Sequence, residues 1–418
     1  MTKTTACLAK ATLSELCTLV TDGTHDTPKR VETGFPLIKA KEIVGGRIDF
    51  DTCDQISRED HLQVIARSKP EKGDTLFAHI GASLGEAAYV NTERPFSIKN
   101  IALFKPDPSK VNCRYLYYLV ISPEFQALAK AARTGSAQPF LSLGHLRAHP
   151  LRYHKDLREQ ERIAAILTAY DDLIEVNWQR IELLERIAQR LFEEWFVRFR
   201  FPGHEAQAMV KAAKGSLPEG WKSGVLGDLV ELRRDKTSPG EHLSARVYVP
   251  IECIGRKTLA LSEIKPWDEA QSSLQLFERD DILFGAMRAY FHKVAPAPMA
   301  GITRSTCFVL RARSSSLFAF ATLALFRDET VAFAAANSKG STIPYAQWAG
   351  SLERMPIAIP KLELLRRFDA LVRPMLAMIM NSFEVNRQLA ASRDLVLPRL
   401  ISGEVSLSSA ERELEAVA

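Results

Sequence analysis

The chain has 418 residues, 46% apolar and 25% charged, with a net charge of +5 at neutral pH. That length allows two or three domains with ample core, and these proportions are ordinary for a globular protein. No stretch approaches the roughly 18 apolar residues that span a bilayer. The N-terminus lacks a signal-peptide apolar core, and the six cysteines hold no Cys-x-x-Cys pair, so a reduced, cytoplasmic setting with no membrane is expected.

Residues 13–110 read mostly as strands and turns, with short apolar runs at Phe35–Ala40, Thr75–Ile80 and Ile101–Phe104. A helix is predicted from about Arg114 to Arg133, followed by a polar loop at 134–142. A long helix then begins near Leu157. Its seam is Ile163, Leu167, Tyr170, Ile174, Asn177, Ile181, Leu184, Ala188, Leu191 and Trp195, spaced by four and three without a break. Asn177 is the one polar residue on it, expected to fix register, with Ser382 as its partner. Residues 201–224, rich in Gly and Pro, read as a linker.

The second half repeats these events. Gly73–Phe77 is answered by Asp280–Phe284 at an offset of 207 residues, and the loop 134–140 by 338–345 at 205. The helix starts at Leu157 and Leu362 share that offset of 205. A helix from about Leu317 to Asn337 matches 114–133. The second long helix carries Leu364, Phe368, Leu371, Met375, Met378, Ser382, Val385, Leu389, Ser392 and Val396 at the same spacing. Pro374 is expected to bend or split it. The fold class is therefore α/β (α+β). Two tandem globular domains, 1–155 and 225–360, are separated by long helices at 156–200 and 361–403 that pack as an antiparallel coiled coil. The linker is 201–224 and an acidic tail covers 404–418.

The excess positive charge sits in the two globular halves, because 155–200 holds eight basic and ten acidic residues and the tail four acids and one Arg. A basic globular surface is compatible with nucleic acid. A helix of about 40 residues is about 60 Å long, against about 34 Å for a turn of DNA, so two domains held on such a rod could sit on one duplex.

No Gly-Lys dipeptide exists, so there is no phosphate loop. Gly-x-Gly-x-x-Gly, Gly-x-Ser-x-Gly and Asn-Pro-Pro-aromatic motifs are also missing. No catalytic residue and no metal site are assigned, and binding must carry the function. The loops that recur in both halves are the candidates for DNA contact: Thr134, Ser136 and Gln138 in the first, Lys339, Ser341, Thr342 and Tyr345 in the second. The segment after the Asp-x-Leu-Phe strand adds His79 and Ser83, then Arg288, Tyr290 and Lys293. Lys39 and Lys41 share one polar strand face. Asp74, Asp280 and Asp281 are read as turn residues.

Several segments together resemble the specificity subunit of type I restriction–modification systems. They are Leu157–Ile163, Asn177–Leu191, Phe192-Glu193-Glu194-Trp195-Phe196, Leu217-Pro218-Glu219-Gly220-Trp221 and Arg393–Glu404. The second helix departs from the pattern, since Lys361–Phe368 lacks the Glu-Gln pair of the first. The resemblance covers roughly residues 8–405. It implies a non-catalytic subunit whose two target recognition domains each read one half of a split, asymmetric site on double-stranded DNA. Ile163, Leu167, Asn177, Leu184, Leu191 and Trp195 of the first helix, with Phe368, Leu371, Val385 and Leu389 of the second, would form the rod. That rod would dock two copies of a methyltransferase (modification) subunit. S-adenosylmethionine, ATP and magnesium would belong to those methyltransferases and to restriction/translocase subunits, with no cofactor in this chain. A stand-alone DNA-binding regulator is the alternative.

Overall fold

A computed structural model describes residues 8–133, 139–211 and 215–405, with Leu407, Ser409, Ala410 and Arg412. The chain divides into two compact units. One comprises Met1–Leu173 with Leu389–Ala418, the other Ile174–Gln388. Each long helix therefore contributes to both units.

In the first unit, β1 (Leu8–Thr12) pairs antiparallel with β10 (Pro150–His154), so the domain is closed by the strands at its own two ends. One four-stranded sheet is built from β2 (Cys17–Asp22), β9 (Ala102–Pro106), β6 (Thr75–Phe77) and β7 (Ala87–Tyr89) in that order. The other runs β8 (Ser97–Lys99), β4 (Phe35–Lys39), β5 (Asp54–Ile56), β3 (Arg30–Val31), with β8 and β4 parallel. Leu76, Ile98, Ile101 and Leu103 fill the core between strands.

The second unit repeats the plan. Strand β11 (Lys222–Val225) pairs with β20 (Pro356–Ile359). The sheet β12 (Val230–Arg233), β19 (Cys307–Ala312), β16 (Ile282–Gly285), β17 (Val294–Pro296) matches β2-β9-β6-β7 strand for strand. The other sheet is β13 (Lys236–Thr237), β15 (Leu274–Phe277), β18 (Gly301–Arg304), β14 (Val247–Tyr248). Its parallel pair is β14 with β18, but here the antiparallel strand joins β18, whereas in the first unit it joins β4.

The helix expected at 114–133 is two helices, α1 (Cys113–Ile121) and α2 (Pro123–Arg133). The break is at Ser122, whose ψ of 150° is the extended conformation that a following proline favours. The second unit breaks at the equivalent Arg327, ψ 143°, between α4 (Phe318–Phe326) and α5 (Asp328–Ala336), with no proline to force it. The linker holds a hairpin, Met209–Lys211 against Ser216–Pro218.

The long helices are α3 (Leu157–Phe192), ending in a widened turn at Glu193–Val197, and α6 (Leu362–Ile401). They pack antiparallel within each unit, since rising number on one meets falling number on the other. In the first unit His154, just ahead of α3, faces the carbonyls of Leu400 and Ile401, while Asp171 meets Arg393. In the second unit Asn177 meets Asn386, and Phe192, Trp195 and Phe196 close on Phe368. On α3, Ile163, Leu167, Tyr170, Asn177, Ile181, Ala188 and Trp195 are buried, with Leu184 and Leu191 half-buried.

The seam expected on α6 and the partner expected for Asn177 are corrected. Leu371, Met378 and Val385 lie outside, 44 to 49% exposed, while Val372, Leu376 and Ile379 are fully buried. After Phe368 the inward face advances by four residues twice, so a strict seven-residue count slips off the seam. Phe368 and Leu389 remain inside. Of the bend or split expected at Pro374, the split does not occur, since α6 runs unbroken from Leu362 to Ile401. Pro374 is exposed, and so is Ala370, whose carbonyl it leaves without an amide, so water can supply that bond. The partner of Asn177 is Asn386 rather than Ser382.

Candidate nucleic-acid interface

Both units build one framework around β6 and β16. Asp74 Oδ2 accepts the Glu71 amide at 2.7 Å and the Lys105 ammonium at 2.6 Å. Asp281 does the same, taking the Glu278 amide at 2.7 Å and the Arg311 guanidinium at 2.6 and 2.8 Å. Both aspartates therefore staple the turn entering the strand to its neighbour, as their reading as turn residues implies. Burial pushes the Asp74 carboxyl up, against the pull of Lys105. Gly73 and Asp280, the residues just before, both have left-handed backbone, φ +101° and +69°.

Beyond the strand, each chain makes a tight five-residue turn. In the first unit it is Gly81-Ala82-Ser83-Leu84-Gly85, with the Leu84 amide donating to the Gly81 carbonyl at 3.0 Å. In the second it is Arg288-Ala289-Tyr290-Phe291-His292, with the Phe291 amide on the Arg288 carbonyl at 2.9 Å. The turn is then tied to the loop after the helix pair. Gly81 donates to Pro139 O and Leu141 to His79 O, at 2.8 and 2.9 Å. Arg288 donates to Pro344 O and Ala346 to Ala286 O, both at 2.8 Å. The two candidate surfaces of each half are thus one surface, a turn and a loop stitched together by backbone.

The side chains on this shared frame differ. Left-handed φ is required at both ends of the turn. Glycine supplies it in the first unit, at +79° and +98°, but Arg288 and His292 adopt it in the second, at +52° and +51°. Such conformations cost about 1–3 kcal/mol each for residues with side chains. At His292 the side chain compensates. It is buried, with Nε2 2.7 Å from the Phe326 carbonyl and Nδ1 3.1 Å from Asp328. The guanidinium of Arg288 has no partner among the described residues.

The sequence candidates fall into three groups. Arg288, Tyr290, Lys339 and Tyr345 come together on the second frame: the Lys339 and Tyr345 backbones pair reciprocally at 2.7 and 2.9 Å, around Gly340 at φ +101°. Ser341 and Thr342 sit exposed at the tip of that hairpin, and Tyr290 is 55% exposed. A second group is engaged in holding structure. The His79 ring is buried, with Nδ1 2.8 Å from the Leu141 carbonyl. Lys293 donates to the Ile251 and Glu252 carbonyls at 2.7 and 3.1 Å. Tyr345 also caps the Ser305 carbonyl. Ser83 is half-buried in the turn. Lys39 pairs with Asp54, which Arg30 also reaches, and that hydrogen bond from Lys39 holds the Asp54 carboxyl below its usual range. Lys41 reaches the buried Glu42 at 3.1 Å and is itself exposed. Thr134, Ser136 and Gln138 lie outside the described residues.

Residues that sequence reasoning missed belong to the same frame. Phe140, 54% exposed, stands where Tyr345 stands in the other unit, and its ring lies 5.9 Å from that of His79. The offset of 205 already pointed to it. Arg256 lies over the Phe291 ring at 4.1 Å, and the Lys257 amide donates to the His292 carbonyl at 2.9 Å. Nothing local in the sequence joins 256–257 to 288–292, because the contact crosses between loops.

Comparison with known proteins gives a consistent result. Residues 9–186 and 218–367 each match the family described as type I restriction modification DNA specificity domain. Among curated proteins, the type I restriction enzyme MjaIX specificity subunit of Methanocaldococcus jannaschii is 25% identical over 309 residues, 70% of this chain and 68% of that protein. The HindI specificity subunit of Haemophilus influenzae is 30% identical over 161 residues, 37% of this chain and 34% of its own length. A crystal structure of a type I restriction–modification S subunit from M. genitalium covers 96% of this chain and 98% of its own, with a TM-score of 0.55 at 13% identity. At that identity the likeness speaks for the fold.

Proposed function

Since the chain belongs to the type I restriction modification DNA specificity family, with two recognition domains and no catalytic role of its own, we propose that each domain reads one half of a split, asymmetric site on double-stranded DNA. The observation that carries this reading is the repeated frame of turn and loop. The three backbone hydrogen bonds that close the turn and stitch it to the loop recur at matching positions in both units, while the turn's side chains are Gly, Ala, Ser, Leu, Gly in one and Arg, Ala, Tyr, Phe, His in the other. A constant scaffold with divergent side chains is what two readers of different base sequences require. Phosphate contacts fix orientation, and groups reaching the grooves discriminate bases. The exposed Lys41 and the loop residues Thr134, Ser136 and Gln138 are assigned to the first half-site, and Lys339, Ser341 and Thr342 to the second, whereas Lys39 is held by Asp54.

The same proposal gives the methylation and cleavage chemistry to other chains. Two methyltransferase subunits would bring S-adenosylmethionine, and restriction/translocase subunits ATP and magnesium. The outward stripe of Leu371, Met378 and Val385 on α6, with Val176, Leu183 and Ile187 exposed on α3, offers an apolar surface for the methyltransferase. Selection of a random duplex library by the full-length chain tests the reading. Two short motifs at a fixed gap are expected, with affinity falling steeply as salt rises. Enrichment of one continuous motif, or of none, would overturn it.

A further inference from the structure

We infer that Arg288 is a specificity-determining residue of the second domain, presented from a deliberately left-handed turn to read a guanine edge in the second half-site. The inference rests on the reading of the domains as half-site readers. Its own basis is the equivalence of two turns.

Gly81 and Arg288 occupy the same place, each donating its amide to the proline carbonyl of the adjoining loop at 2.8 Å, and each with φ positive, +79° and +52°. The backbone at this place is shaped for glycine. A side chain here is a liability unless it is used. His292, the other exception, is used internally, through the Phe326 carbonyl and Asp328. Arg288 is half-buried, and its guanidinium meets no acceptor among the described residues. Holding five N–H donors in a planar fork without an internal partner suits an external, planar acceptor pair. Guanine N7 and O6 form such a pair in the major groove.

The surroundings fit a polyanion. Tyr290 projects beside Arg288, its ring 4.9 Å from that of Phe291, which carries Arg256 on its face. Lys257, exposed, hydrogen-bonds through its amide to the same turn. The exposed carboxylate of Asp328 faces the group, 3.8 Å from Lys257 and 3.1 Å from His292 Nδ1. Aromatic rings interleaved with cations stack on bases and sugars while the cations take phosphates. The first domain has Gly, Ala, Ser, Leu and Gly in the equivalent turn, so it presents no such fork, and the two domains read by different means.

The test is duplex-library selection with the full-length chain and three variants, Arg288→Gly, Arg288→Lys and Tyr290→Ala, beside thermal unfolding of each. Arg288→Gly relaxes the backbone, so it should melt no lower than the parent. It should keep the first motif and lose preference at one G·C pair of the second by about tenfold or more. Arg288→Lys should retain a weaker preference at that pair, because a lysine cannot make the planar two-point contact. Tyr290→Ala should weaken the second motif without changing which base is preferred there. Two outcomes overturn the inference and leave the bipartite reading standing: an unchanged second motif in Arg288→Gly, or weakening that is equal on all sequences, which marks a phosphate contact. If the parent chain enriches no bipartite duplex, the reading and the inference both fall.

Discussion

The Asn177 amide donates to Asn386 Oδ1 at 2.8 Å, and the Asn386 amide donates in turn to the Ile174 carbonyl at 3.2 Å. Both side chains are more than nine-tenths buried. A buried amide pair set in an apolar seam stabilises one register, because any slip leaves both groups without partners. Asn177→Leu should therefore cost about 1–3 kcal/mol, since it strands the carbonyl oxygen of Asn386. Replacing both by Leu should recover much of that loss. Urea unfolding of the four proteins measures the coupling, and strictly additive effects would refute the pairing.

Asp171 and Arg393 tie the start of one long helix to the end of the other. Their atoms lie 2.6 Å apart, and Tyr118 Oη donates to the second carboxylate oxygen, also at 2.6 Å. Both side chains are about four-fifths buried. Removing Asp171 leaves the Arg393 guanidinium with the exposed Asp394 alone and the Tyr118 hydroxyl without its acceptor, so Asp171→Ala should lose up to about 3 kcal/mol. The double substitution Asp171→Leu with Arg393→Met should be far milder. Equal losses for the single and double variants would mean that packing, not charge, dominates there.

Pro374 interrupts the hydrogen bonding of α6 without breaking it, and nothing in the structure needs its ring, which is exposed. Pro374→Ala should raise stability by up to about 3 kcal/mol, the difference between the two residues inside a helix. Chemical unfolding checks the direction. A loss of stability would show that the proline sets a bend the packing requires.

What could be read from the sequence follows from the range of the interactions. The duplication was visible because Asp74 and Asp281 each hold a turn through an amide three residues back, so that local pattern recurs along the chain, whereas their pairing with Lys105 and Arg311, about 30 residues on, was not legible. The seam of α3 was legible because its positions from Ile163 to Trp195 are apolar around one Asn, although the buried Glu185 beside it, which serves Thr258 and Leu259, broke no spacing and gave no signal. The seam of α6 was not, because Leu371, Met378 and Val385 make an apolar outer stripe in perfect sevens beside the true inner one of Val372, Leu376 and Ile379. Periodicity cannot choose between two adjoining apolar faces; packing does. The same limit hid the structural duties of His79 and Lys293, whose acceptors are carbonyls about 60 and 40 residues distant in sequence. It also hid the contrast between Gly81 and Arg288, which needs backbone angles.

Burial holds the His79 and His292 imidazoles below their ordinary pKa. The unfolded chain therefore takes up protons first as pH falls below about 6.5. The stability each neutral ring contributes is complete above that pH and is lost as pH drops toward the folded-state value. Each group adds at most about 1.4 kcal/mol per pH unit to the slope. Unfolding free energies at pH 7.5 and 5.5 should thus differ in favour of the higher pH. His79→Asn, which keeps a donor for the Leu141 carbonyl, should flatten the dependence. A slope unchanged by that substitution would place the titration elsewhere.

On the proposed function, the outer stripe of α6 serves a partner chain rather than the core. Leu371, Met378 and Val385 repeat every seven residues on one exposed face, within the unit that also exposes Val176, Leu183 and Ile187 of α3. Such a face is stable in water alone only at the expense of exposed apolar area, and it is the pattern a helix from another chain can cover. Met378 is 44% exposed and outside the core, so with Met378→Glu the chain should unfold within about 1 kcal/mol of the parent. Its duplex selection should be intact, because neither recognition turn is touched. Association with a methyltransferase subunit should fall tenfold or more, since a carboxylate would be desolvated at the centre of the contact. Co-purification and DNA methylation by the assembled complex read this out. Full assembly with Met378→Glu would move the docking surface to another face of the helices.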